Sequence, residues 1–222
     1  MNYKPIIITA GEPYSIFLEI FFKALRKNNF KKPIILIVSL NLFNKQMKKL
    51  NYNFGINLLN GYRFNLKKID KNKINIIDIK FKFKKVFDKI SEKSNDYVEE
   101  CFQVALDVLK NNNCSGLITG PISKRHFLKG KSLGITEYLA KKTNKKNNIA
   151  MVIFNKKLSV SPITTHLALK DVHKGISKQK IYTHIKLITD FYKKNFKKKP
   201  KIAITGLNPH CESNFKDCEE DA

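Results

Sequence analysis

Five histidines occur in this chain of 222 residues, and two of them stand where a short apolar run stops. His166 follows the β-branched stretch Leu158-Ser159-Val160-Ser161-Pro162-Ile163-Thr164-Thr165, and His210 follows Lys201-Ile202-Ala203-Ile204-Thr205-Gly206-Leu207-Asn208-Pro209. Neutral imidazole is the commonest nitrogen ligand for a divalent metal. Two such ligands from separate elements leave coordination positions open for substrate oxygens. The competing reading of each is a hydrogen-bonded surface or core histidine. His184 falls on the apolar side of a predicted helix and His173 precedes Gly175 near a helix end, so both are read as structural. Lys124, about one turn beyond Gly120-Pro121, is either a phosphate contact or a solvated helix lysine. Cys211 beside His210 is read as a bystander thiol.

The elements that must position these groups read as alternating strands and helices. Pro5–Thr9 and Pro33–Val38 are uninterrupted apolar runs of the kind buried on both faces in a parallel sheet. Between them Gly11-Glu12-Pro13 turns the chain, Ser15 is a candidate N-cap, and Ile16, Phe17, Ile20, Phe21, Ala24 and Leu25 recur at helical spacing. A helix is expected from Asn41 to Leu50, a weaker strand over Ile74–Ile79, and a long helix from about Asn95 to Asn111 leading into the strand Gly116–Thr119. Gly120-Pro121 suits a sharp turn into a further helix. Ile149–Phe154 and Leu158–Thr165 are expected as adjacent strands around Asn155-Lys156-Lys157, with Ser177 opening a helix beyond them and Ile202–Ile204 forming a last buried strand. The pattern implies an α/β fold.

Composition narrows the function classes. The length suffices for one large domain or two small ones. No apolar run approaches a membrane span and no signal-peptide pattern opens the chain, which reads as cytoplasmic. Cys101, Cys114, Cys211 and Cys218 form no C-x-x-C pair, which favours reduced thiols. The formal charge of +25 invites a nucleic-acid reading. Yet Arg26, Arg63 and Arg125 are the only arginines, and the lysines are dispersed among Asn and Ile. Specific nucleic-acid binding leans on arginine's planar fork, so none is expected; the dispersed lysines are read as compositional bias on solvated faces, which would still help to draw in an anionic phosphate substrate.

Four segments, in register along almost the whole chain, resemble the 4-hydroxythreonine-4-phosphate dehydrogenase family of pyridoxal phosphate biosynthesis. They are Thr9-Ala10-Gly11-Glu12-Pro13; Thr119-Gly120-Pro121-Ile122-Ser123-Lys124 with Gly134-Ile135-Thr136-Glu137-Tyr138-Leu139-Ala140; Thr164-Thr165-His166; and Gly206-Leu207-Asn208-Pro209-His210. The resemblance implies a two-domain α/β/α architecture like that of the isocitrate and isopropylmalate dehydrogenases, with residues 1–128 forming most of the first domain and 129–222 an incomplete second one. No Gly-x-Gly-x-x-Gly is present, and the fold so implied holds a dinucleotide with other loops.

The same resemblance implies an NAD- or NADP-dependent oxidation of 4-phosphooxy-L-threonine to a β-keto acid that decarboxylates to 3-amino-2-oxopropyl phosphate. It makes His166 and His210 ligands of a divalent ion (zinc, magnesium or cobalt) and Thr136 a contact to substrate phosphate, with Lys124 a weaker candidate. Where the family has a histidine before that threonine this chain has Ile135, removing a donor worth about 1.5–3 kcal/mol to a charged group. Relatives continue for another third of their length beyond the region of His210, with a third metal histidine, further substrate residues and much of the nucleotide site at a homodimer interface. The chain is therefore expected to be a C-terminally truncated member, inactive alone. Three alternatives stand beside this reading: a related dehydrogenase of threonate or erythronate 4-phosphate, a non-catalytic remnant, and a lysine-rich nucleic-acid binder.

Overall fold

The computed structural model describes residues 4–61, 64, 66–112, 114–130, 132–145 and 148–208. The chain divides into two compact units, Met1–Lys131 and Ser132–Ala222. The first is a parallel α/β sheet. Its elements are β1 (Ile6–Thr9), α1 (Phe17–Lys27), β2 (Ile34–Val38), α2 (Leu40–Lys49), β3 (Ile56–Leu58), β4 (Ile74–Asp78), α3 (Asn95–Asn111) and β5 (Gly116–Thr119). The strands lie in the order β3-β4-β2-β1-β5, all parallel, with Ile7 opposite Ile35 on one side and Leu117 on the other.

Helices cover both faces, which is why the central strand β2 is apolar at every position and β1 at all but Thr9. Ile8, Leu36 and Ile76 pack with Leu18, Phe21 and Phe22 of α1 and Phe43 and Met47 of α2. The alternate residues Ile7, Ile35 and Ile37 are equally buried, and α3 packs on β1, β2 and β5 through a face that includes Val98, Cys101, Phe102 and Ala105. Burial pushes the Cys101 thiol up to about 12, an inert packing group in keeping with its place on the apolar face. Tyr97 lies beside it, its hydroxyl accepting from Ser39 N–H at 3.0 Å and its own pKa driven well up by burial.

Several expectations need correction. In α1 the helix turns Ile16 and Ile20 to solvent, 64% and 54% exposed, while Leu18, Phe21 and Phe22 fill the core. Apolar residues surround much of this helix, so spacing alone does not choose the buried face. The N-cap position is Ile16, although Ser15 Oγ still accepts from Phe17 N–H at 3.3 Å. Beyond Pro121 there is no helix, only a turn in which Phe127 N–H bonds the Ser123 carbonyl at 2.9 Å and buries Phe127 and Leu128.

The second unit contains α4 (Ile135–Lys142) and α5 (Lys178–Phe196). Ser177 caps α5 as expected, its side chain accepting from Lys180 N–H at 3.2 Å. His184 is buried on this helix, and desolvation, aided by the Lys180 cation, holds its pKa below the ordinary value. The expected strand pair at 149–154 and 158–165 reduces to one antiparallel bridge, Ile153 with Val160, and the expected buried strand Ile202–Ile204 is not formed, its residues being exposed. A strand is completed by a neighbour that accepts its hydrogen bonds, and propensity does not supply one.

Candidate active site

In the first unit, polar groups gather where the chain's direction across the sheet reverses. From β1 the chain crosses through α1 to β2, whereas α3 carries it back past β1 to β5, so the carboxyl ends of β1 and β5 flank a topological switch point. The loops there touch backbone to backbone. A Cβ on Gly11, where φ is +72°, would stand 2.3 Å from the Pro121 carbonyl oxygen, and one on Gly120 would stand 2.1 Å from that of Ala10. Only glycine permits this approach.

Glu12, 2% exposed, ties the two loops together. Its backbone N–H bonds the Pro121 carbonyl at 2.9 Å, one carboxylate oxygen accepts from Ser94 Oγ at 2.7 Å, and the other accepts from Ser123 N–H at 3.3 Å. Reading the sequence takes Gly11-Glu12-Pro13 only as a turn. The signal for more was a carboxylate between a glycine and a proline at a strand end, where a charge must find donors. Lys124 follows Ser123 in the same unit and is exposed.

In the second unit, Gly134 is the N-cap of α4 and supplies no capping side chain, so the first-turn N–H groups face whatever ligand or water arrives there. Thr136 lies in that first turn, half-buried, directly after Ile135. His166 comes to this helix end from a loop, and no strand precedes it as the sequence reading required. Its backbone is left-handed, with φ at 58°, an uncommon conformation for a residue with a Cβ.

The imidazole lies against Gly134: a Cβ there would be 2.8 Å from His166 Nε2 and 2.7 Å from Glu137 Oε2. The loop is held from beneath, because Thr165 Oγ1 donates to Glu137 Oε1 at 2.9 Å. Glu137 Oε2 is buried without a hydrogen-bond partner. His166 and the segment carrying Thr136 thus share one corner of this unit. His210, and Cys211 beside it, fall outside the described residues. Among the described residues no group of three or more His, Cys, Asp or Glu gathers as a metal cluster, and no helix is long and apolar enough to cross a membrane.

A parallel five-stranded sheet whose glycine loops meet at the switch point places the first unit in the α/β class. The family profile described as pyridoxal phosphate biosynthetic protein PdxA matches residues 29–222, and the chain belongs to that family. It is 35% identical over 221 residues to a 4-hydroxythreonine-4-phosphate dehydrogenase of Sulfurihydrogenibium sp. (strain YO3AOP1), covering 94% of this chain and 64% of that protein. It is 26% identical to a D-threonate 4-phosphate dehydrogenase of Salmonella typhimurium, over 96% of this chain and 66% of the relative. The solved 4-hydroxythreonine-4-phosphate dehydrogenase of Klebsiella pneumoniae, 24% identical, superposes with a TM-score of 0.75 over 93% of this chain and 65% of its own, a likeness of fold. The chain thus spans slightly less than two thirds of the Sulfurihydrogenibium relative's length.

Proposed function

We propose that this chain carries part of the active site of a dehydrogenase acting on a phosphorylated hydroxy acid, with 4-phosphooxy-L-threonine as substrate, an NAD- or NADP-dependent step, and product decarboxylation to 3-amino-2-oxopropyl phosphate. The observation that carries the reading is the meeting of His166 with the N-terminus of α4. There, first-turn N–H groups without a capping side chain and the Thr136 hydroxyl suit a phosphate, while the imidazole packed against Gly134 suits a cation. Donor chemistry is compatible with a zinc, magnesium or cobalt ion: the Nε2–Cδ2 edge of the His166 ring faces Gly134 and Glu137, which leaves Nδ1, on the other side of the ring, as the nitrogen for a cation. His166 would hold that ion together with His210. Bound there, it would supply Lewis-acid polarisation of the substrate hydroxyl.

The protein's own part is orientation. The α4 terminus fixes the phosphate end, the His166 loop fixes the hydroxyl end, and reaction demands both in register with the nicotinamide. The finer architecture we infer is that of the isocitrate and isopropylmalate dehydrogenases, working as a homodimer. Lys124 is proposed as an auxiliary attraction for the phosphate, in keeping with the charge of +25.

A second reading takes D-threonate 4-phosphate as substrate, and two observations favour it: Ile135 replaces a donor at the phosphate end, and relatives bearing that name match 96% of this chain. The deciding experiment compares kcat/KM for NADH formation from the two substrates, with a divalent ion, by protein containing these 222 residues. A preference for 4-phosphooxy-L-threonine of about tenfold or more, equivalent to about 1.4 kcal/mol, supports the first reading. The opposite preference selects the second, and turnover unaffected by Thr136→Val or His166→Ala overturns both.

A further inference from the structure

We propose that Glu137 is the positioning residue of His166, acting through two oxygens with separate tasks. The inference rests on the reading of His166 as a metal ligand. Oε1 anchors the loop by accepting from Thr165 Oγ1 at 2.9 Å, one residue before the histidine. Oε2 is buried with no hydrogen-bond partner, and it converges with His166 Nε2 on the space beside Gly134.

A carboxylate oxygen removed from water and left unpaired is costly, and such an arrangement persists where the oxygen gains a partner in the working state. The ring of His166 is the proton donor at hand. When one imidazole nitrogen binds a cation, the other must carry the ring proton, and a carboxylate accepting that proton sets both tautomer and ring orientation. Glu137 is placed for this, Gly134 keeps the gap clear, and the Thr165 anchor steadies the left-handed backbone at His166. The role assigned to Glu137 is to position the ring, and no step of the chemistry is routed through it.

The test measures cobalt(II) and zinc(II) affinity of the full chain by competition with a chromophoric chelator, beside thermal unfolding. His166→Ala defines the part of the affinity that belongs to this site. Glu137→Gln keeps an oxygen for Thr165 but loses the carboxylate charge, and it should weaken the His166-dependent affinity by about 10- to 100-fold at an unchanged melting temperature. Thr165→Val removes only the anchor and should cost clearly less affinity. Wild-type affinity in His166→Ala would remove the metal reading itself, and this inference with it. A loss in His166→Ala with none in Glu137→Gln would overturn the positioning role alone, as would equal losses in Glu137→Gln and Thr165→Val. Nitrogen-15 spectra of the wild-type zinc form provide a check that needs no variant. The His166 ring N–H should be a single, slowly exchanging species, and a rapidly exchanging one would overturn the proposal.

Discussion

Segments rich in β-branched residues have different fates in the two units. Ile6–Thr9 and Ile34–Val38 each find parallel neighbours on both sides, and Ile7, Ile35, Leu36 and Ile37 are wholly removed from solvent. In the second unit Ile153, Val160 and Ile204 stay 54–61% exposed, with a single bridge between Ile153 and Val160 as the pairing. Among the described residues, the buried apolar core beyond Lys131 consists of Tyr138 and Ala140. The contrast teaches that a strand is a relation between segments, and that β propensity describes only how well a residue fits once the relation exists. The site residues divide similarly. Glu12 has its donors within a finished sheet, whereas His166 depends on a loop tied by one threonine.

The sharpest way to break the comparison is to remove one aromatic ring from each unit. Phe22→Ala empties a fully buried position against Phe43, Tyr52 and Phe54 and should cost about 3–5 kcal/mol in urea denaturation. Phe196→Ala removes a ring that is 42% exposed and stacked on Phe154, and should cost about 0.5–1.5 kcal/mol. Equal costs would show that the second unit holds a core as dense as the first.

Thiol labelling sharpens the same contrast within the first unit. Cys101 is fully buried with its thiol pushed up to about 12, whereas Cys114 is only partly buried and raised less far. Under native conditions at pH 8, alkylation mapped by mass spectrometry should reach Cys114 while Cys101 stays unmodified until the sheet unfolds. Early modification of Cys101 would mean that α3 opens locally, against its place in the core.

The smallest expected effect is a pH dependence in the second unit. Burial keeps His184 below its ordinary value of 6.5, so the folded state favours the neutral ring while the unfolded chain takes up a proton more readily. Its stability contribution is whole above that value and is lost as pH falls below it. Between pH 7 and pH 5 the melting temperature of the wild type should therefore fall further than that of His184→Leu. Parallel curves would place the imidazole in solvent.

Much of the first unit was legible because its determinants are local. The helix from Asn95 to Asn111 depends on neighbours within a turn or two, as does the Ser177 cap in the second unit, and the structure forms both. The short motifs placed the chain in its family on the same footing. What the residues alone did not determine was which face of α1 would be buried, that Pro121 would lead into a turn, and that the Val160 segment would lack a ladder. Those outcomes depend on partners distant in sequence. The role of Glu12 as a tie between loops, and the convergence of Glu137 with His166 beside Gly134, were likewise decided only by tertiary packing. Periodicity and caps report a residue's relation to its own segment, whereas the Glu137 carboxylate and the His166 imidazole come together against Gly134 from separate segments, and no pattern within either one encodes that approach.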